Sequence, residues 1–432
     1  MAYTYIHNGT LLDGHGGQPI ADAAVLIEND SIRAAGPRAR VARPSGDVTD
    51  IDAQGGFILP GLIDTHVHLM FANPNFVAMM NQPPSLGYYR AIESMRRTIE
   101  AGVTTVRDAG GSDLGMKMAI DEGLIEGPRM QISITILTIT GGHADFTTRS
   151  GINLVPQSTF AALCDGPDEV RKKVREVLRA GADVIKVCST GGVLSPTDHP
   201  EFTQFTPEEL AAAVQEGRYR RNVPVMAHAQ GAEGIKNAVR AGVRSIEHGV
   251  FLDNEAIDLM LEHGTFLVPT LVAPIGVLEA AERTGAMPDY TIQKSRDAIV
   301  AHQDSIAKAY KAGVKIAMGT DAGIVAHGTN LRELGLMCDA GMTPMDALTA
   351  TTKVAAECMG WQDRLGTVEA GKLADVVISR ADPIKNIRSL EDARNIAVVM
   401  KGGRIVKNLL AIGTDRAAGA AVKTAPALVP GL

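Results

Sequence analysis

Cysteine is scarce: four residues in 432, Cys164, Cys188, Cys338 and Cys358, with no C-x-x-C spacing. That pattern suits a reduced, cytoplasmic protein rather than a disulfide framework. Aromatic residues make up 4% with Trp361 the single tryptophan, so nothing in the composition suggests an aromatic cage. Long apolar runs are missing too, and none approaches the ~18 residues of a membrane-spanning helix. Met1 leads directly into the strand-like Tyr3-Thr4-Tyr5-Ile6 without a basic and then apolar leader, so a cytoplasmic location is expected unless a leader was removed. The 42 basic and 49 acidic residues give a net charge of −7, and no Lys/Arg cluster is interleaved with aromatics. Neither nucleic acid nor a membrane is an expected partner.

What is present is a large apolar fraction, 45%, against 21% charged residues, with mean hydropathy +0.04. This is the balance of a globular chain long enough for two or three domains, or for one α/β barrel with additions. The first sixty residues alternate short strand-like runs with turns: Tyr3 to His7, Ala24 to Glu28, Ser31 to Ala35. The same style returns after Trp361, in Ala374 to Ile378, Ala397 to Lys401 and Arg404 to Val406. The two ends are therefore expected to pair as one small β-sandwich, residues 1–58 with 363–410, around an inserted middle of residues 59–362; residues 411–432 read as a tail. In the middle, apolar β-branched runs alternate with helical patterns such as Asp168 to Ala180, Pro207 to Arg218 and Asn254 to His263. Eight strand ends, near His68, Asp108, His143, Lys186, His228, His248, Thr270 and Asp321, predict an α/β fold of the (β/α)8 TIM-barrel type. Its active site would lie at the C-terminal ends of the strands.

The polar residues gather at those ends. His66 and His68 close an apolar run, and the two-residue period of a strand turns both imidazoles the same way, which suits a divalent metal. An isolated His-x-His is as readily a hydrogen-bonded pair. His228 and His248 end two successive strands, and four histidines at strand ends 1, 5 and 6 would converge on one small volume. Asp321 follows the apolar strand Val314 to Thr320; it could cap the next helix, or ligate the metal and take a proton from water. Lys186 lies in an apolar strand, where a lone ammonium is costly, so it must pair, lose its proton or be modified. Carboxylation by CO2 would make it an anionic oxygen ligand. Cys188, two residues on, reads as unreactive packing. His327 reads as structural, and His15, His199, His263 and His302 as surface or turn residues.

The run Leu59-Pro60-Gly61-Leu62-Ile63-Asp64-Thr65-His66-Val67-His68 resembles the amidohydrolase superfamily of metal-dependent hydrolases. So do Ile185-Lys186, Ala227-His228-Ala229, Glu247-His248-Gly249 and Gly319-Thr320-Asp321-Ala322-Gly323. The segment Leu365 to Asp375 resembles that family's return to its small β-sandwich, and the matches span roughly residues 1–407. Thr104 to Gly111 and Thr140 to Asp145 resemble the branch of prolidase-like and Xaa-Arg/Lys dipeptidases and ochratoxin-hydrolysing amidases.

The resemblance implies two divalent metal ions, zinc by default with cobalt and manganese open. His66, His68 and Asp321 would hold the more buried ion, His228 and His248 the more exposed one, and carboxylated Lys186 would bridge them. Asp321 would be the general base and His143 would lie over the substrate. The implied activity is cleavage of the amide or peptide bond of an N-acyl amino acid or dipeptide by a metal-bridging hydroxide, in a homo-oligomer. Gln230 stands where dipeptidase members place a tyrosine that helps hold the substrate's carboxylate. It is read as a second substrate-binding donor beside His143. A urea or carbamate hydrolase, a single-metal deaminase or imidazolone-type hydrolase, and a non-catalytic barrel used for assembly or binding stay open.

Overall fold

Both chain ends form strands where alternating apolar residues and turn glycines call for them. In the computed structural model, which describes residues 2–71, 82–153, 160–285 and 287–410, these are β1 (Tyr3–Leu11), β2 (Ile20–Glu28), β3 (Ser31–Pro37), β4 (Val48–Asp52) and β5 (Phe57–Pro60) at the start. The expected tail from residue 411 lies outside the described residues. Among the described residues nine strands follow in the middle: β6 (Leu62–Val67), β7 (Val103–Asp108), β8 (Arg129–Ile132), β9 (Ile136–Thr138), β10 (Ala161–Leu163), β11 (Ile185–Cys188), β12 (Val225–Gly231), β13 (Ser245–Phe251) and β14 (Phe266–Val268). The chain closes with β15 (Val376–Ser379), β16 (Ile396–Lys401) and β17 (Arg404–Asn408).

The end strands pair with each other, joined by hydrogen bonds into one eight-stranded path ordered β17-β16-β15-β5-β1-β2-β3 with β4 on β1. β5 lies antiparallel to β15, with Pro60 opposite Val376 and Phe57 opposite Ser379. Ile6, Val25 and Ile58 from one end share a buried cluster with Val376, Ile378 and Val398 from the other, so neither end has a complete core alone.

Strands β6 to β14 are all parallel, in ladders β6-β7-β8 and β10-β9-β11-β12-β13-β14. β6, β7, β11 and β12 are buried along their whole length, as strands covered on both faces must be. The ladders meet irregularly. Ile134, at φ +66°, interrupts the run between β8 and β9, and Asp183 N donates to Ile132 O at 2.8 Å beside that break. At the other margin, segment 314–318 exchanges bonds with β14, Leu267 N to Lys315 O and Ala317 N to Leu267 O, both 2.9 Å. Its Met318 O accepts from Thr65 N of β6 at 2.9 Å. The architecture is thus α/β with parallel sheets. The expected eighth strand, segment 314–320, bonds to both neighbours through isolated bridges, Leu267 with Ile316 and Val67 with Ala322, and the backbone takes a left-handed φ of +60° at Asp321.

The helices lie where the sequence patterns fall. Pro167–Arg179 buries Val170, Val174 and Val177 and carries Asp168 and Glu169 in its first turn, favourable to the helix dipole. Pro207–Tyr219 opens with a reciprocal cap in which Thr206 accepts from Glu209 N and Glu209 accepts from Thr206 N.

Candidate active site

His66 and His68, on and just beyond β6, aim one nitrogen each at the Asp321 carboxylate, with Nε2 to Oδ1 distances of 3.5 and 3.3 Å. Donor atoms of these three residues all lie within 4.8 Å of one another. The remaining nitrogens are held by the protein: His66 Nδ1 by Glu247 at 2.7 Å and His68 Nδ1 by Gly110 O at 3.0 Å. His228, from β12, donates Nε2 to Gly191 O at 3.0 Å, and His248, from β13, places Nδ1 2.7 Å from Thr270 Oγ1. Rings 228 and 248 are 4.6 Å apart, and rings 66 and 248 are 5.2 Å apart. Four imidazoles therefore converge, each with one nitrogen oriented by a protein partner; the second nitrogens of His66 and His68 face the Asp321 carboxylate. This is the arrangement that metal-ligating histidines adopt.

Burial pushes His66, His228 and His248 well below the ordinary imidazole value, which leaves them neutral, the form that binds metal. Burial also opposes charge on His68, but the hydrogen bond and charge of Asp321 outweigh it and the net shift is upward. For Asp321 burial works toward protonation; the His68 bond and the nearby positive charges overcome it and hold the carboxyl well below its usual range. Lys186, 3% exposed on β11, lines the same cavity and makes no ion pair or hydrogen bond among the described residues. Its amine is lowered by burial. A buried amine without a partner and neutral imidazoles around an ionised carboxylate fit a metal site with an anionic lysine derivative.

Backbone strain is concentrated here. His248, Thr270 and Asp321 have φ of +75°, +52° and +60°, a region disfavoured for side-chain-bearing residues, above all for a β-branched threonine.

Several supporting residues escaped the sequence reading. Arg107 and Glu247 are both fully buried and paired at 3.0 Å, and Arg107 also donates to Thr65 O at 2.7 Å. The pair stands directly behind His66. The rule that flagged Lys186, a cation in an apolar strand, applies equally to Arg107 in Val103–Asp108. Asp64 accepts from Thr320 Oγ1 at 2.6 Å, Asn330 Nδ2 at 2.8 Å, and the backbone of His66 and Thr320, both 3.1 Å. It ties β6 to the segment that carries Asp321, and burial pushes it up to about 6.

The cavity is mostly apolar. Phe160 packs between Phe71 and Phe146, with centroids 5.8 and 5.9 Å away, so an aromatic wall exists despite the low aromatic content. His143 lines the cavity but lies in the turn beyond β9 instead of at a strand end, stacked on His228 at 4.1 Å. Gln230, on β12, also lines it, and its buried Oε1 has no hydrogen-bond partner among the described residues. Cys188 is buried there with its thiol pushed up to about 12 by burial, the protonated form expected of packing. His327 donates Nε2 to His68 O at 3.2 Å and has its Nδ1 3.1 Å from Thr98 Oγ1, contacts of a structural kind. His302 does not take the surface or turn position expected of it. It is buried on the inner face of helix Asp289–Ala312, with Ala298 and Ile306 one turn either side, and its Nε2 donates to His248 O at 2.9 Å.

The amidohydrolase family model matches residues 57–406. Ochratoxinase from Aspergillus niger is 34% identical over 426 residues, covering 94% of this chain and 86% of that protein. A prolidase structure complexed with N-methylphosphonate-L-proline is similar with a TM-score of 0.88 at 34% identity, covering 94% of this chain and 100% of the other. A Xaa-Pro dipeptidase structure with bound methionine in the active site gives 0.84 at 36% identity, covering 94% and 99%. Hydrolases acting on carbon–nitrogen bonds are the class that these matches define. The chain belongs to the amidohydrolase family, whose members are generally metal-dependent.

Proposed function

We propose that this chain is a two-metal hydrolase that cleaves the amide bond of an N-acyl amino acid or dipeptide. The observation that carries the reading is Lys186: a buried residue whose amine has no hydrogen-bond or ion-pair partner among the described residues, in the cavity that holds two histidine pairs and an ionised carboxylate. Carboxylated, it would bridge an ion held by His66, His68 and Asp321 and a second held by His228 and His248. The site would occupy the C-terminal mouth of an eight-stranded parallel barrel, residues 59–362, with segment 314–320 as its eighth strand and residues 1–58 and 363–410 as the adjoining β-domain.

Bound ions, zinc by default, supply Lewis acidity and ease the deprotonation of water. The protein's own groups do the rest. Asp321, ionised at neutral pH, offers an oxygen that takes a proton from the attacking water and returns it to the leaving amine nitrogen. Glu247, backed by Arg107, fixes the orientation of His66. The Phe71, Phe146 and Phe160 wall excludes water and favours a bulky, apolar acyl group, while His143 and Gln230 meet the polar end of the substrate.

The test is a metal count per chain together with an activity screen over N-acyl amino acids, dipeptides, phenylureas and carbamates. Two ions and preferred turnover of the first two classes are expected. One ion per chain, or preference for a urea or carbamate, would overturn the reading in favour of the corresponding relative, and absence of both metal and activity would leave a binding protein.

A further inference from the structure

His143 is held by a closed circuit of bonds. Its ring Nδ1 lies 2.9 Å from Ser195 Oγ, Ser195 Oγ donates to Asp198 Oδ1, Asp198 Oδ2 accepts from Gln204 Nε2 at 2.9 Å, and Gln204 Oε1 accepts from His143 N at 3.1 Å. One face of the ring stacks on His228 and the other rests on Gly192, where an added Cβ would come within 2.1 Å of a ring carbon. The circuit is anchored from outside. Lys294, on helix Asp289–Ala312 and 11% exposed, donates to Gly192 O, Ser195 O and Asp198 O at 3.1, 2.8 and 2.6 Å, with Asp198 Oδ1 3.6 Å away. Three ammonium hydrogens meet three carbonyls of one loop, which satisfies the cation and fixes the loop.

The direction of the bonds sets a tautomer. A carboxylate only accepts, so the single hydroxyl hydrogen of Ser195 goes to Asp198, and Ser195 Oγ is left to accept from His143. The ring proton therefore sits on Nδ1. Nε2 is the ring nitrogen without a protein partner among the described residues, in a residue that lines the cavity.

We propose that Lys294 is a positioning residue that, through Asp198 and Ser195, holds His143 with its proton on Nδ1 and a bare Nε2 offered to the cavity, where it accepts a hydrogen bond from a substrate N–H. The substrate's N–H, not its carboxylate, is then what His143 reads, and Gln230 is left to meet the carboxylate. The substrate contact rests on the proposed amidase function; the tautomer does not.

The experiment has two arms. Long-range 1H–15N spectra of histidine-labelled enzyme, with His143 assigned by its loss in His143→Gln, should show a protonated Nδ1 and bare Nε2 in the wild type. Lys294→Met and Ser195→Ala should each shift that signal toward a tautomer mixture. Both should also raise KM for the best amide substrate at least ~10-fold with kcat changed less than about threefold, the pattern of lost ground-state and transition-state binding alike, and leave metal content unchanged. Lys294→Arg, which keeps a cation under the loop, should recover most of the KM. Should Lys294→Met not fold, Ser195→Ala decides, since it cuts the circuit and leaves the anchor intact. A wild-type His143 protonated on Nε2, or variants with the wild-type tautomer and KM, would overturn the proposal. If the amidase reading alone is wrong, the wild type shows the expected tautomer and no turnover of amides.

Discussion

Two buried basic side chains set the residue-scale energetics of the site: Arg107 is matched by Glu247, whereas Lys186 makes no ion pair or hydrogen bond among the described residues. Removing one member of a buried pair strands the other, so Glu247→Ala should destabilise the fold by about 3–5 kcal/mol. It should also weaken metal binding by roughly 10- to 100-fold, because His66 loses its orienting acceptor. Denaturant unfolding and a metal titration measure the two losses separately. Lys186→Ala should behave differently: bound metal and activity fall, and acetate or formate restores part of both. Two ions per chain and full activity in that variant would remove the carboxylated lysine from the mechanism. Asp321→Asn should lower kcat at least ~10²-fold in enzyme that still holds its metal. The six residues proposed as ligands stood out because His66, His68, His228, His248 and Asp321 close apolar runs and Lys186 puts an amine inside one, places where a polar side chain has to be accounted for. Arg107 and Glu247 sit inside such runs, and His302 sits on the buried face of a long helix, so a reading centred on strand ends passed over them.

At the scale of elements, Glu333 is the unusual group. It is fully buried and accepts from Leu271 N and Val272 N at 2.7 and 2.8 Å, capping the turn that leads from Thr270 into helix Val272–Thr284. Burial pushes it up to about 8 from the ordinary value of 4.5, despite those two donors. Between those values the folded protein keeps a proton that the unfolded chain has released. The contribution is thus fully present below about pH 4.5 and is lost as pH rises through about 8. On metal-free protein, Tm should fall from about pH 5 to about pH 8 in the wild type, and Glu333→Gln should flatten the slope. An equal slope in both proteins would assign it elsewhere, Asp64 at about 6 being the next group. Strands at both ends and the helices between them follow the hydrophobic period closely. The break at Ile134 and the bonds of segment 314–318 do not, because a bulge changes which neighbour a backbone group meets without changing the apolar pattern that marks a strand.

Across the whole molecule, the proposed metal ligands come from β6 and the residue just beyond it, from β11, β12 and β13, and from the 314–321 segment, so bound ions would cross-link distant parts of the chain. Chelation should abolish activity and lower Tm by about 5 °C or more, and a divalent ion should restore both. An unchanged Tm with activity retained would refute a structural and catalytic metal. Among the described residues no helix is long and apolar enough to cross a membrane. The pairing of the two chain ends was legible from their shared strand-and-turn style. Their joining into one sheet was not, since hydrogen-bond partners between segments more than three hundred positions apart leave no local trace.

That joining has a consequence for synthesis. β5 runs through Gly61 into β6 and His66, yet one of its edges is sealed only by β15. A chain made at about 5–20 residues per second carries β1 to β5 for on the order of tens of seconds before β15 leaves the ribosome. Throughout that interval β5 presents unpaired backbone groups, the kind of edge that recruits other strands. The nascent chain is therefore a natural client for factors that shield strand edges, and translation that stops short of Val376 should yield aggregate in place of a smaller active enzyme.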